Sequence, residues 1–315
     1  MAVSSGIHHI TAITGKPQDN LDFYEGFLGQ KLVKQTINFD DPSAYHFYFA
    51  DATGSPGTVL TFFYWENVPA GTSGSGEVSS IAYEIPEGSV DFWKERAYEF
   101  NVSFIEKTNH LDEPILSLTD PDGLTIELVP VEETAPVTVW KEGDVLPQHA
   151  LRGFRGVMLS VINPQSMLPV LNESLGYEIT EQDDTFVRFS AMGERGTLVD
   201  IKEVPNARSA RQGVGSVHHV AFRAVDAAAQ QEIRNQLIEA GLEPTPVIDR
   251  HYFQSVYAMT PGGVLFEVAT DGPGFTFDEE MDEFGETLQV PDEFLHRKEE
   301  IEQMLPSITL PRNRS

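Results

Sequence analysis

Gly6-Ile-His-His-Ile-Thr11 and Ser216-Val-His-His-Val-Ala221 carry one signature twice: an adjacent histidine pair inside a short apolar run. Runs of this length and character read as buried strands. The second is followed by Pro261-Gly-Gly-Val-Leu-Phe-Glu267, where a carboxylate closes another strand-like run. A carboxylate in so apolar a strand needs a strong partner. Taken singly, a strand histidine is more often a hydrogen-bonded core residue. The recurrence of the pair, with a glutamate on a third strand, points instead to a metal site.

Working outward from Gly6, the run 7–13 leads through Lys16-Pro17 into a helical pattern. Leu21, Tyr24 and Leu28 share one face of it, and Gly29 stops it. Strand-like runs follow at Lys31–Asn38, 45–50 and 58–65, giving the order β-α-β-β-β. That order recurs, and self-similarity of this kind defines the architecture before any fold is named. The reading is α+β: four βαβββ modules at residues 6–66, 78–131, 152–204 and 215–270, then a C-terminal tail at 271–315. Helices are expected at 90–100, 168–175 and 228–240, the last two closed by Gly176 and Gly241, and the tail is expected to hold a short helix near 294–305. A Gly/Ser-rich linker at 70–76 separates the first two modules.

Punctuating residues set the register between modules, because turn chemistry is less forgiving than strand sequence. Pro17 and Gly29 find counterparts in Pro164 and Gly176, which sets His8-His9 against Arg155-Gly156. Aligned by their turns, the final strands place Phe62, Glu127 and Asp200 opposite Glu267, and Ser79-Ser80 falls opposite His218-His219. The fourth module alone has both histidine and glutamate. Two open barrel-like cups are expected, with modules 1 and 4 forming the active one and a metal-free scaffold cup around Ser80, Glu127, Gly156 and Asp200.

Successive side chains of a strand point to opposite faces, so one histidine of each pair faces the shared cavity. His219 shares its face with the small Ala221 and His9 with Thr11, whereas His8 and His218 accompany bulkier residues. His9, His219 and Glu267 are therefore the expected ligands. Two imidazoles and a carboxylate form the facial triad of non-haem Fe(II) oxygenases, with coordination positions left open for chemistry. Zinc also takes such ligands, but no His-Glu-x-x-His helix occurs. His46, His110, His149 and His296 sit in dissimilar contexts and read as surface or loop residues, while His251 stays ambiguous.

Composition narrows the rest. The chain has 315 residues, 40% of them hydrophobic, enough for more than one core. With 49 acidic against 21 basic residues, its net charge of −28 repels nucleic acid and anionic lipid. Cysteine is absent, so any metal is held by His, Asp or Glu. No basic leader or membrane-length apolar run is present, and a cytoplasmic protein with no membrane partner is expected.

On segments 6–13, 51–62, 217–222, 250–257, 261–270 and Gly272-Pro-Gly-Phe275, the chain resembles the vicinal oxygen chelate, or glyoxalase/extradiol dioxygenase, superfamily. The closer likeness is to its ring-cleaving dioxygenases of the hydroquinone type. The resemblance implies Fe(II) held by His9, His219 and Glu267, with Mn(II) or Zn(II) as substitutes. It also implies a small aromatic diphenol and O2 as substrates, and leaves room for a homodimer. It assigns Arg250 and Tyr257 to substrate contact, and His8, Thr11 and His218 to the surroundings of the metal. Strand alternation directs His8 and His218 away from the metal, so a bulge is needed for that role. Glyoxalase I-like isomerases use a fourth protein ligand, whose slot in this alignment is Phe62. The alternatives are an isomerase or thiol transferase of the same superfamily, or a non-enzymatic aromatic-binding resistance protein.

Overall fold

The computed structural model describes residues 2–39 and 41–314; Ser315, the last residue of the expected tail, lies outside them. In chain order the strands are β1 (Ile7–Thr14), β2 (Lys31–Asn38), β3 (Asp41–Ala50) and β4 (Val59–Tyr64). Then come β5 (Glu77–Pro86), β6 (Phe104–Thr108), β7 (Pro114–Thr119) and β8 (Thr125–Val131). The third group is β9 (Phe154–Val161), β10 (Glu178–Gln182), β11 (Phe186–Ser190) and β12 (Leu198–Glu203). The last is β13 (Val217–Ala224), β14 (Ile248–Asp249), β15 (Phe253–Met259) and β16 (Leu265–Pro273), with β17 (Leu288–Gln289) in the tail.

Each group places a helical segment after its first strand, and the four groups pair into two curled sheets. The nine-stranded sheet runs β14-β15-β16-β13-β1-β4-β3-β2-β17, and the eight-stranded sheet runs β10-β11-β12-β9-β5-β8-β7-β6. The first and fourth groups meet through antiparallel β1 and β13, and the middle two meet through β5 and β9. The pairing thus spans nearly the whole chain. The histidine strands become direct neighbours at the middle of one sheet.

Local sequence explains the helices. α1 (Pro17–Leu21) begins at a proline and widens into a π-helical turn at Asp22–Phe27, where the Leu28 amide reaches back to the Phe23 carbonyl. Leu21, Tyr24 and Leu28 are all buried, as their spacing predicts. The segment expected as a helix at 168–175 is instead a 3-10 turn (Pro164–Met167) followed by a π turn (Pro169–Ser174). Pro169 has no amide hydrogen to continue a regular ladder, so the α form is interrupted there. α2 (Val90–Glu99) buries Trp93, and α3 (Ala227–Glu239) is capped by the Asp226 carboxylate on the Ala229 amide. Gly241, at φ +84°, ends the α3 segment in the left-handed region.

Helical segments pack against the sheets through apolar side chains. Phe62 packs against Tyr24 with ring centroids 4.6 Å apart, and Phe222 meets Phe266 at 4.6 Å. Full burial of one such ring contributes roughly 1.5–3 kcal/mol. The tail belongs to this core. β17 extends the sheet beside β2, the Arg312 guanidinium reaches the buried Glu25 at 2.8 Å, and buried Lys34 holds Asp278 and Glu279. Near its end α4 (Lys298–Met304) occupies the expected helical position and buries Ile301. Among the described residues no helix is long and apolar enough to cross a membrane.

Candidate metal centre

The β1–β13 ladder is interrupted twice, and each interruption falls on a histidine. Between the partner pairs Ile7–Phe222 and His9–Ala221 the extra residue is His8; between Thr11–His219 and Ala12–Val217 it is His218. A bulge rotates the extra side chain out of strict alternation. Both His8 and His218 consequently lie beside their neighbours, with Nδ1–Nδ1 separations of 3.0 Å for His8–His9 and 2.8 Å for His218–His219. A hydrogen shared between Nδ1 atoms leaves the Nε2 atoms of His9 and His219 to face elsewhere. Burial, then the neighbouring His9, holds the pKa of His8 down at about 3. Burial and His219 hold His218 at about 4. Both are neutral at pH 7.

The Nε2 atoms face Glu267. Its Oε2 lies 2.8 Å from His219 and 3.4 Å from His9, and the carboxylate is fully buried. The other oxygen, Oε1, accepts the Ser255 hydroxyl, which fixes the carboxylate plane. Burial pushes the Glu267 carboxyl up, but the two imidazoles outweigh it and hold the group well below the usual carboxylate range. Burial is also the first cause of the lowered His219 pKa.

The donor set fits a metal ion. One ligand atom from each of His9, His219 and Glu267 lies within 4.8 Å of the others. Ligands about 2.1 Å from a common ion come to about 3 Å from one another. His219 Nε2 and Glu267 Oε2 are close, yet neither has an aligned hydrogen bond among the described residues. Buried polar atoms aimed at one point without a shared proton are what a cation between them resolves.

A cavity of about 350 Å³ opens beside this cluster. Arg250 and Tyr257 line it together with Thr11 and His218, whereas His8 lies behind, against Phe253. Arg250 Nε donates to the Tyr257 hydroxyl at 3.3 Å, and the guanidinium lies over the same ring. Burial, then Glu267, raises the Tyr257 pKa against the pull of Arg250, so the phenol keeps its proton. Phe39, Phe63 and Trp65 supply apolar wall. Phe253 covers His9 with ring centroids 4.7 Å apart.

Two sequence expectations need correction. His46 is not a surface or loop residue: it sits in β3, is buried, and lines the cavity. The alternation His46-Phe-Tyr48 was the available signal, since it sends both polar rings to the face opposite Phe47. Likewise, the slot facing the expected metal ligands in the first module is Thr61, not Phe62. Glu267 pairs with Ala221, two residues beyond His219, and the residue paired two beyond His9 is Thr61, opposite Thr11. Alignment by turns slips this strand by one residue, which exchanges its two faces. His110 and His296 are exposed and His149 is half-buried in a turn. His251 lies 3.4 Å from Asp278, near Phe39 at the mouth.

The Glyoxalase/Bleomycin resistance protein/Dioxygenase superfamily model matches residues 6–128 and 153–268. Among individual proteins, the chain is 41% identical over 300 residues to the "Putative ring-cleaving dioxygenase MhqO" of Bacillus subtilis (strain 168), covering 95% of both chains. It is 31% identical over 306 residues to the chlorohydroquinone/hydroquinone 1,2-dioxygenase of Sphingobium indicum, covering 94% of both. A crystal structure of a "putative dioxygenase" from Bacillus subtilis superposes with a TM-score of 0.93 at 39% identity, over 98% of this chain and 99% of that one. With both paired sheets and nearly the whole length matched, this chain belongs to the Glyoxalase/Bleomycin resistance protein/Dioxygenase superfamily.

Proposed function

We propose that the protein opens the ring of a hydroquinone-type para-diphenol with O2, using Fe(II) held by His9, His219 and Glu267. The chain is an enzyme of the ring-cleaving dioxygenase kind, like its relatives. The metal, the substrate and the residue roles are the proposal. The observation that carries it is the buried two-histidine, one-carboxylate cluster on the wall of a cavity large enough for a substituted ring. When bound, the ion would supply a Lewis acid that lowers the pKa of a substrate hydroxyl, and a redox centre for O2.

The chain's own groups divide the remaining work. Ser255 fixes Glu267, and His8 and His218 orient the two ligand imidazoles through their Nδ1 atoms. Phe63 and Trp65, stacked with centroids 5.4 Å apart, form apolar wall for an aromatic face and exclude water. Because Arg250 donates to its oxygen, Tyr257 can direct its own hydrogen into the cavity, while the guanidinium favours an anionic substrate oxygen. Thr61 bears on the isomerase alternative. Its hydroxyl is engaged by His46 and Thr11, and no fourth carboxylate or imidazole stands in that slot.

Metal analysis and oxygen uptake test this together. Protein purified anaerobically without chelator is expected to carry close to one Fe(II) per chain and to consume O2 with methyl- or chlorohydroquinone well above the rate with catechol, with no need for glutathione. Rapid catechol cleavage with inert hydroquinones would overturn the substrate class. Glutathione-dependent isomerisation without O2 uptake would overturn the reaction.

A further inference from the structure

Opposite Tyr257, the cavity wall carries a hydrogen-bonded file that the reaction above does not use. Thr61 donates its hydroxyl hydrogen to Thr11 Oγ1 at 2.8 Å. That commits the one hydrogen Thr61 has, so His46 Nε2, at 2.9 Å, must be the donor to Thr61. In a neutral imidazole the other nitrogen is then an acceptor, and the Tyr48 hydroxyl, 3.0 Å away, must donate to it. His46 is neutral because burial, then His9 and His219, keep its pKa well below the ordinary value. The whole file therefore has one polarity. Tyr48 spends its hydrogen on His46 and keeps lone pairs on its oxygen, which receives no hydrogen bond among the described residues.

The register makes this wall a counterpart of the other one. Tyr48 is paired with Thr61 across β3 and β4 as Tyr257 is with Glu267 across β15 and β16, so the two phenols occupy matching places in the two halves of the sheet. Their hydrogens are disposed oppositely. Tyr257 receives from Arg250 and has a hydrogen to give, whereas Tyr48 gives to His46 and has lone pairs to receive. A para-diphenol reaches one metal ion with a single oxygen, since its hydroxyls lie on opposite ends of the ring. The remaining hydroxyl needs an acceptor inside an otherwise apolar cavity.

We propose that Tyr48 accepts a hydrogen bond from the substrate hydroxyl that does not reach the metal, and that His46 is the positioning residue that turns the Tyr48 hydrogen away to make this acceptance specific. The assignment rests on the hydroquinone reading of the site. It makes the cavity discriminate a second O–H from a methyl ether, because an ether has no hydrogen to give.

Anaerobic titration calorimetry with hydroquinone and 4-methoxyphenol measures this on the protein as purified without chelator. Wild type is expected to prefer hydroquinone by about fivefold or more, the range of one buried hydrogen bond. Tyr48→Phe should bring the ratio of the two affinities close to one. His46→Leu should also collapse the ratio although Tyr48 remains, because the phenol hydrogen is freed to serve an ether oxygen. A purely structural role for His46 would instead weaken both ligands in parallel. A wild-type ratio near one, or a ratio unchanged in both variants, overturns the assignment. Should Tyr48→Phe melt well below wild type, the His46→Leu ratio decides. Since no oxygen is present, the readout is independent of turnover. Missing O2 uptake with a Tyr48-dependent ratio removes the proposed reaction alone, and ring opening with a ratio indifferent to Tyr48 and His46 removes this assignment alone.

Discussion

The two cups are built alike and hold their carboxylates by different means. Glu267 in one, and Glu127 and Asp200 in the other, occupy corresponding places, paired with Ala221, Ala82 and Met158 on the central strands. Glu267 is met by the imidazoles of His9 and His219 and, among the described residues, by no lysine or arginine salt bridge. Glu127 is met by Lys107 at 2.9 Å and the Ser80 hydroxyl at 3.1 Å, and Asp200 takes two 2.7 Å hydrogen bonds from Arg188, whose third nitrogen reaches Glu113. The protein thus neutralises the second pair internally, while the first carboxylate stays available to the ion proposed above. Carboxylate position alone does not make a metal site; the partner supplied across the sheet does.

Space follows the same division. The second cup encloses about 30 Å³, room for one water, against about 350 Å³ in the first. Next to Asn109 of its lining, His110 stacks on Phe186 at 4.4 Å and binds Asp183. At the first mouth the Phe39 and His251 rings stand 6.1 Å apart. Gly156 holds the place that His9 and His219 hold elsewhere. A Cβ there would fall 2.1 Å from the Leu198 carbonyl oxygen, so the backbone itself excludes a ligand from that position.

The comparison is most exposed to removal of a first-cup ligand. His9→Ala, His219→Ala and Glu267→Ala are each expected to drop bound metal below about a tenth of wild type and to abolish O2 uptake, because three ligands leave none to spare. Retained metal in His9→Ala, read by elemental analysis, would break the pairing of function across the ends of the chain. Arg188→Met comes next and acts on stability instead. It leaves Asp200 and Glu113 without their shared cation, for an expected loss of roughly 3–5 kcal/mol in a chemical denaturation curve, with metal content per folded chain unchanged. Loss of metal in that variant would couple the cups. The smallest effect belongs to Glu127→Gln. Lys107 is 41% exposed at its side chain, so the pair is screened and its removal should change stability by about 1 kcal/mol or less, with turnover within a few-fold of wild type. A large loss of activity in a folded Glu127→Gln protein would make the second cup functional.

Much of this could be read from residues close together in sequence. Histidine pairs, Pro-Gly turns and helix-ending glycines are local signals, and they carried the repeat, the order of elements and the choice of His9, His219 and Glu267 as neighbours. Where the reading went astray, the deciding contacts were non-local. Turn alignment named Phe62 for a slot that the β1–β4 ladder gives to Thr61, since nothing in a strand's own sequence fixes which face meets the cup. His46 looked like an isolated surface histidine because its partners, Thr61 on β4 and Tyr48 beyond Phe47, become neighbours through pairing and alternation. Alternation likewise turned His8 and His218 away from the site until two bulges, created where β1 meets β13, brought them beside the ligands. The sequence by itself determined which groups are available for metal chemistry, because residue type and strand spacing are local properties. The tertiary structure decided which carboxylate meets imidazoles and which meet a lysine or arginine, which cup has room for a ring, and how each hydroxyl hydrogen is directed, because each depends on chains that meet from distant positions.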